Sequence, residues 1–192
     1  MGVGNGDFVH YGFKKDFCDK QGIEFDNEDT TENLMSTSSD TSDGDMLFRI
    51  SGWLKTYRLS VNDWRQCPVT YPGENNAEHL LEEWENYNSI HGKIEFPDMI
   101  EGVVDQCVSV LREGKYGDSD IDNDRECLRS CMDDENLSPK AVRNHPAFID
   151  EPVFYVDEAQ DLTFLQWDWF LCQKLAAEKV FLGGDDDQCF PS

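Results

Sequence analysis

The stretch that decides the fold runs from Val153 to Leu182 and reads VFYVDEAQDLTFLQWDWFLCQKLAAEKVFL. It opens with a continuous apolar run, Val153–Val156, which predicts a strand buried on both faces of a parallel sheet. Residues 162–178 carry apolar side chains at helical spacing, and Val180–Leu182 is a second short apolar run. A strand, a helix and a strand in this order predict a βαβ unit.

Acidic residues follow both predicted strands. Asp157 and Glu158 come after the first strand, and Asp185–Asp187 with Gln188 come after the second. In parallel sheets the catalytic and ligand-binding residues lie just past the carboxyl ends of the strands. An Asp-Glu pair there suits a nucleotide hydrolase, since the Asp can hold magnesium while the Glu orients and deprotonates the attacking water. A solvated acidic loop is the alternative, and these residues alone leave both interpretations open.

Two short motifs resemble a known family. VDEAQDLT at 156–163, followed by GDDDQ at 184–188, resembles motifs II and III of UvrD/Rep-type superfamily 1 DNA helicases in order and spacing. The resemblance implies that Asp157 binds magnesium, that Glu158 is the general base and that Gln160 couples hydrolysis to movement between motor domains. It also implies that Gln188 senses the γ-phosphate, a task that suits a neutral amide able to donate a hydrogen bond.

The resemblance also carries expectations for the whole protein. It implies an α/β fold, with a mainly helical insertion followed by a partial RecA-like P-loop NTPase motor domain. The implied activity is ATP-dependent 3′–5′ movement on single-stranded DNA, with ATP and Mg²⁺ as cofactors. A weaker resemblance covers residues 84–100, WENYNSIHGKIEFPDMI, which is similar to the family segment that leads towards motif II, with Pro97 in place of the usual acid.

The phosphate-binding loop of this family is missing from the sequence. No GxxxxGK[ST] motif occurs, because Gly92-Lys93 and Gly114-Lys115 lack both the upstream glycine and the following hydroxyl. The family would also continue into an aromatic residue that stacks on DNA and into a second motor domain. We therefore expect an incomplete piece of a motor, whose partners are single-stranded DNA and the missing remainder. The alternative is a non-catalytic remnant or split subunit that keeps the fold without turning over ATP alone.

The sequence predicts four consecutive regions. Residues 1–25 form a short helical segment, 26–45 an acidic linker, 46–144 a helical insertion and 145–192 the partial motor domain. Apolar spacing and breaker residues predict the helices: Phe13–Gln21, Met46–Asp63, Glu78–His91, a helix from Pro97 to Gly114 and a short one from Ser138.

Charge is the most unusual bulk property of the chain. Forty acidic residues stand against sixteen basic ones, which gives a net charge of −24. Taken alone, this balance argues against DNA binding, which normally needs Lys and Arg to displace phosphate counterions. In concentrated salt the Debye length falls to about 3 Å and surface repulsion is screened, so we predict a halophilic source.

The salt dependence of folding tests this interpretation. If the charge is an adaptation to salt, screening should raise helicity and the melting temperature as potassium chloride rises to molar concentration. Circular dichroism across that range measures both quantities. Equal helicity and an equal melting temperature at low and high salt would refute a halophilic adaptation.

Cysteine usage and hydropathy indicate the compartment. The seven cysteines are odd in number and irregularly spaced, which favours reduced thiols. Cys127 and Cys131 have the spacing of half a metal site, but no second Cys or His pair stands at ligand spacing. No apolar run reaches the ~18 residues of a membrane span, and the N-terminus lacks a signal sequence. We predict a soluble cytoplasmic protein with no membrane association.

The acidic segment 118–129 partly matches the pattern of an EF-hand calcium-binding loop. Asp118, Asp120 and Asp122 have the spacing that opens an EF-hand, yet Asn123 replaces the required glycine and Arg129 replaces the bidentate glutamate. We therefore predict a flexible acidic loop over residues 118–129.

Overall fold

The computed structural model describes residues 7–26, 41–72, 74–114, 116, 123–134 and 137–184. The chain divides into two compact units, Met1–Asp98 and Met99–Ser192. Among the described residues, no helix combines the length and apolar character that a membrane span requires.

The first unit contains helices α1 (Tyr11–Gln21), α2 (Asp43–Tyr57) and α3 (Glu74–Ile90). Helix α1 ends as predicted at Gly22, whose φ of 69° is the left-handed conformation of a helix C-cap. Helix α2 begins earlier than predicted, because the Ser42 side chain accepts a hydrogen bond from the backbone N–H of Asp45. Residues 43–45 therefore belong to α2 rather than to the linker. Residues 27–40 of that linker lie outside the described residues.

Helix α2 also ends earlier than predicted. Arg58 adopts a left-handed conformation, with φ of 54°, directly after Tyr57. Ser60 then starts a separate 3₁₀ helix, Val61–Gln66, through a capping box with Asp63. Apolar residues keep their helical spacing across this break, so the spacing alone could not reveal where α2 ends.

Aromatic side chains make up much of the core of the first unit. Trp84 of α3 is fully buried, with its ring centroid 4.7 Å from that of Phe48 and 5.1 Å from that of Phe17, both edge-on. The predicted helix over 78–91 buries Leu80, Leu81 and Trp84. Ile90 is 70% exposed, since α3 ends there and the chain leaves it through a turn at Gly92.

Lys55 of α2 connects three carboxylates within the same unit. Its Nζ lies 2.7 Å from Glu95, 2.9 Å from Asp98 and 3.3 Å from Glu85. Burial opposes the charge on Lys55, but these carboxylates outweigh it and raise the pKa of the amine. The cluster ties α2, α3 and the segment after α3 together.

The second unit contains most of α4 (Phe96–Glu113), then α5 (Asp124–Met132), α6 (Pro139–Arg143), β1 (Val153–Val156), α7 (Phe164–Ala176) and β2 (Lys179–Leu182). Helix α5 was not predicted, and it corrects the loop expected over residues 118–129. The Asn123 side chain accepts a hydrogen bond from the Glu126 N–H at 3.1 Å and so caps a helix. Asp118, Asp120 and Asp122 lie outside the described residues.

One apolar core holds the second unit together. It combines side chains of α4, α5 and α6 with those of α7 and the strands. Its largest fully buried side chains are Val104, Val108, Leu111, Leu128, Val142 and Phe170. The structure therefore divides the chain differently from the sequence analysis, which placed a boundary between residues 144 and 145. The helices before the βαβ unit share its core, but their amphipathic pattern in the sequence does not show which element they pack against. The sequence therefore indicated a separate helical region.

A buried ion pair joins α5 to α7. Arg125 donates two hydrogen bonds to the carboxylate of Asp168, from Nε at 2.8 Å and from Nη2 at 2.9 Å. The Asp168 side chain is almost completely buried. Such a bidentate pair fixes the two helices both in distance and in orientation.

The described cysteines are free and buried: Cys18, Cys67, Cys107, Cys127, Cys131 and Cys172. Burial raises the pKa of the Cys18 and Cys131 thiols to about 12 each, with smaller contributions from nearby acidic groups. A raised pKa keeps these thiols protonated and unreactive near neutral pH. Within the described ranges, no three His, Cys, Asp or Glu side chains are placed to share a metal ion.

Candidate functional site

The predicted βαβ unit is confirmed. Strands β1 and β2 pair in parallel, with Val153 opposite Lys179 and Val156 opposite Leu182, and α7 connects them. Both strands therefore end at the same edge of the sheet. Two backbone hydrogen bonds continue beyond the ladder, from the Gly183 N–H to Val156 at 2.7 Å and from the Ala159 N–H to Gly183 at 2.9 Å.

The expected burial of both sheet faces is wrong. Phe154, Val156 and Val180 pack against the core of the second unit. On the opposite face Tyr155 is 71% exposed and Phe181 is 47% exposed, and their rings stack at 4.7 Å. Among the described residues, helices cover only one face of this two-stranded sheet. A run of apolar residues in the sequence does not show whether one face or both faces of a strand are covered.

Asp157 and Glu158 lie directly beyond β1, and both are exposed. The Asp157 Oδ1 accepts a hydrogen bond from the Glu158 N–H at 3.1 Å. Gly183 lies beside this carboxylate, since a Cβ added to Gly183 would stand 3.0 Å from the Asp157 Oδ1. The Asp157 carboxylate thus lies beside a residue without a side chain, directly after β2.

The backbone of Glu158 is unusual. Its φ of 51° and ψ of 44° are left-handed values, which are uncommon for residues other than glycine. A conformation of this kind costs about 1–3 kcal/mol and tends to occur at functional sites. It turns the chain from β1 into a short 3₁₀ helix, Ala159–Asp161.

The start of α7 completes the turn. The Thr163 side chain accepts a hydrogen bond from the Gln166 N–H, and the Gln166 side chain accepts one from the Thr163 N–H. This capping box fixes the helix start at Phe164 instead of the predicted Leu162.

Gln160 contacts the predicted general base. Its Nε2 donates a hydrogen bond to the Glu158 Oε2 at 2.6 Å. On its other side it meets Gly184, where an added Cβ would lie 2.5 Å from the Gln160 Oε1. The structure therefore brings Asp157, Glu158 and Gln160 together, whereas Gln188 and Asp185–Asp187 lie outside the described residues.

Gly183 was not predicted as part of the site, and Gly184 was predicted only as the first residue of GDDDQ, with no role of its own. The available signal was a Gly-Gly pair directly after an apolar strand, which often marks a close approach of backbone to a ligand or neighbouring group.

At this edge Asp157 is the residue that would hold a magnesium ion. Mg²⁺ is usually held by one or two carboxylates together with waters and substrate phosphate oxygens. Asp157 offers an exposed carboxylate whose Oδ1 receives a backbone hydrogen bond that orients it.

No protein-family model, curated protein or solved structure matches this chain. The resemblance to UvrD/Rep-type helicases is carried by residues 156–163 and 184–188 of the sequence. Of these, residues 156–163 and Gly184 are described by the structure.

Proposed function

We propose that this chain is part of a UvrD/Rep-type DNA helicase and that the edge beyond β1 and β2 hydrolyses ATP. One observation carries the proposal. Asp157, Glu158 and Gln160 converge beside Gly183 and Gly184 at the carboxyl edge of a parallel βαβ unit. This is the edge where α/β sheets place their chemistry.

Each residue has a distinct role in the proposed reaction. Asp157 binds magnesium, which when present neutralises charge on the phosphate oxygens. Glu158 accepts the proton of the attacking water. Gln160 links the base to the segment after β2, and Gln188 of that segment senses the γ-phosphate.

The proposed motor moves 3′–5′ along single-stranded DNA in the cytoplasm. Such a motor needs a phosphate-binding loop, whose backbone N–H groups and Lys hold the β- and γ-phosphates. This sequence has no such loop, so the loop comes from the remainder of the motor. A restored motor, in which that loop and a second motor domain are joined to this chain, tests the proposal through ATP hydrolysis stimulated by single-stranded DNA.

A second candidate is a split subunit or remnant that keeps the fold but does not turn over ATP alone. The exposed Tyr155 and Phe181 favour it, because parallel sheets are normally covered on both faces. A remnant predicts no hydrolysis even after the missing loop is supplied, and the same restored motor separates it from the helicase.

The isolated chain should not hydrolyse ATP. Without the loop, Glu158 has no positioned substrate, so phosphate release from the purified chain should equal that of a Glu158→Gln control, with or without single-stranded DNA. Steady DNA-stimulated phosphate release that disappears in Glu158→Gln would show that the chain holds its nucleotide without the loop, and would overturn this expectation.

A further inference from the structure

Two cysteine thiols meet in the core of the second unit. Cys107 of α4 and Cys172 of α7 are both fully buried, and their Sγ atoms lie within hydrogen-bonding reach of each other. We propose that this pair is a site of reversible oxidation, at which a peroxide converts the two thiols into a disulfide that joins α4 to α7. The proposal is independent of ATP hydrolysis, because neither cysteine belongs to the edge beyond β1 and β2.

A buried amide holds Cys107 against α7. Gln173, the residue after Cys172, is 2% exposed, and its Nε2 lies 4.0 Å from the Cys107 Sγ. The same amide donates a hydrogen bond to the Ala147 carbonyl at 3.3 Å and accepts one from the Ile149 N–H at 2.7 Å. These contacts fix the turn of α7 that carries Cys172. Two cysteines whose sulfurs already meet need little backbone movement to form a disulfide.

The polar groups around the pair stay partnered after oxidation. The Cys107 thiol donates a hydrogen bond to the Ala147 carbonyl at 3.2 Å, and a disulfide has no hydrogen to donate. The Gln173 amide also donates to that carbonyl, so the oxygen keeps a partner when the thiol hydrogen is lost. Disulfide formation therefore avoids the cost of leaving a buried polar atom unsatisfied.

The two thiols differ in acidity. The contact with Cys172 lowers the pKa of the Cys107 thiol against the opposing effect of burial, and the Gln173 amide lowers it further. The same contact, together with burial, raises the pKa of the Cys172 thiol. Because the thiolate is the nucleophile in cysteine chemistry, Cys107 is the sulfur that attacks the oxidant and Cys172 is the sulfur that resolves the product.

The reaction balances with one peroxide as the oxidant. The Cys107 sulfur attacks an oxygen of hydrogen peroxide, the O–O bond breaks, and a sulfenic acid and water form. The Cys172 sulfur then attacks the sulfenic sulfur, the S–O bond breaks, and the hydroxyl leaves as water with the Cys172 proton. The two thiols together lose two electrons and two protons, which the peroxide takes up. A dithiol such as dithiothreitol reverses the change by thiol–disulfide exchange.

A second pair of buried thiols provides an internal control. Cys127 and Cys131 lie four residues apart on α5 and also contact each other. At this helical spacing the Cβ atoms are about 5–6 Å apart, whereas a disulfide needs about 3.5–4.5 Å. We therefore expect Cys127 and Cys131 to remain unlinked to each other under conditions that join Cys107 to Cys172.

Peptide mapping of the 192-residue chain tests the site. The reduced chain is treated with hydrogen peroxide, its remaining thiols are blocked with iodoacetamide, and trypsin then separates the four cysteines of this core onto different peptides. The dominant linked product should join peptide 94–112 to peptide 144–174. Its mass should be lower than the sum of the two free peptides by two hydrogens, about 2 Da, and dithiothreitol should release both. The urea-unfolded chain, treated in the same way, should give mixed pairings.

Thermal stability gives a second readout. A disulfide restricts the unfolded chain, so the oxidised chain should melt at a higher temperature than the reduced one. Dithiothreitol should abolish this difference, which separates it from methionine oxidation. Cys107→Ser should remove both the linked peptide and the rise in melting temperature. Cys67→Ser, which replaces a buried cysteine of the first unit, should keep both.

Two results would overturn the proposal. In the first, Cys107 and Cys172 of the folded chain remain open to iodoacetamide at a peroxide concentration that links the unfolded chain. In the second, the folded chain gives the same mixed pairings as the unfolded chain, or a dominant link between other cysteines. If Cys107→Ser does not fold, the peptide map of the unsubstituted chain decides the question.

Discussion

Glu158→Gln should lower ATP turnover of the restored motor by about 10²–10⁴-fold, the usual cost of losing a general base. That loss corresponds to about 3–5 kcal/mol of activation free energy. The substitution keeps the shape of the side chain and a hydrogen-bonding group, so ATP should still bind. Nucleotide affinity and DNA-stimulated phosphate release, measured on the same preparation, separate the two effects.

Matched variants show whether the effect belongs to this carboxylate. Glu151→Gln removes an exposed carboxylate just before β1, at the opposite end of the strand, and should leave turnover unchanged. Asp157→Asn should weaken productive nucleotide binding as well, because it removes the predicted magnesium ligand. Gln188→Ala should keep ATP affinity but reduce the stimulation by DNA. Wild-type turnover in Glu158→Gln would contradict the assignment of the base.

Arg125→Met should reduce the free energy of unfolding by about 3–5 kcal/mol, the cost of removing one member of a buried ion pair. The substitution removes the two hydrogen bonds that Arg125 donates to Asp168, whose side chain is only 1% exposed. Because the pair joins α5 to α7, the loss tests the finding that these helices belong to one compact unit. Urea unfolding followed by circular dichroism measures it.

An exposed ion pair provides the control for this prediction. Lys15 lies 3.3 Å from Asp19 on the surface of α1, and such pairs contribute about 0.2–1 kcal/mol. Lys15→Met should therefore cost less than about 1 kcal/mol. Equal losses for Arg125→Met and Lys15→Met would show that the buried pair is not a principal connection between the helices.

The βαβ unit was predictable because its pattern is strong. The sequence has four apolar residues at Val153–Val156, then an amphipathic helix and a second apolar run. This order is typical of a βαβ unit. Helix α5 was missed for the opposite reason, since its buried residues Cys127, Leu128 and Cys131 are few and its surroundings are acidic. The cap at Asn123 that starts it is a single polar side chain, which is equally common in loops.

Parts of the candidate site depend on contacts that no local pattern encodes. Asp157, Glu158 and Gln160 were selected through their motif, but the contact between Glu158 and Gln160 depends on the left-handed backbone at Glu158. Gly184 has no side chain, and a Cβ there would collide with the Gln160 amide. Only the position of Gln160 in the structure shows this. The exposure of Tyr155 likewise follows from what covers the sheet rather than from the residue type.

The most direct test of the proposed function is phosphate release by the restored motor in the presence and absence of single-stranded oligodeoxythymidylate. If the edge beyond β1 and β2 hydrolyses ATP as part of a helicase, release should be steady and should rise when the DNA is added. A restored motor that folds and binds ATP but releases phosphate no faster with DNA than without it would contradict the proposal.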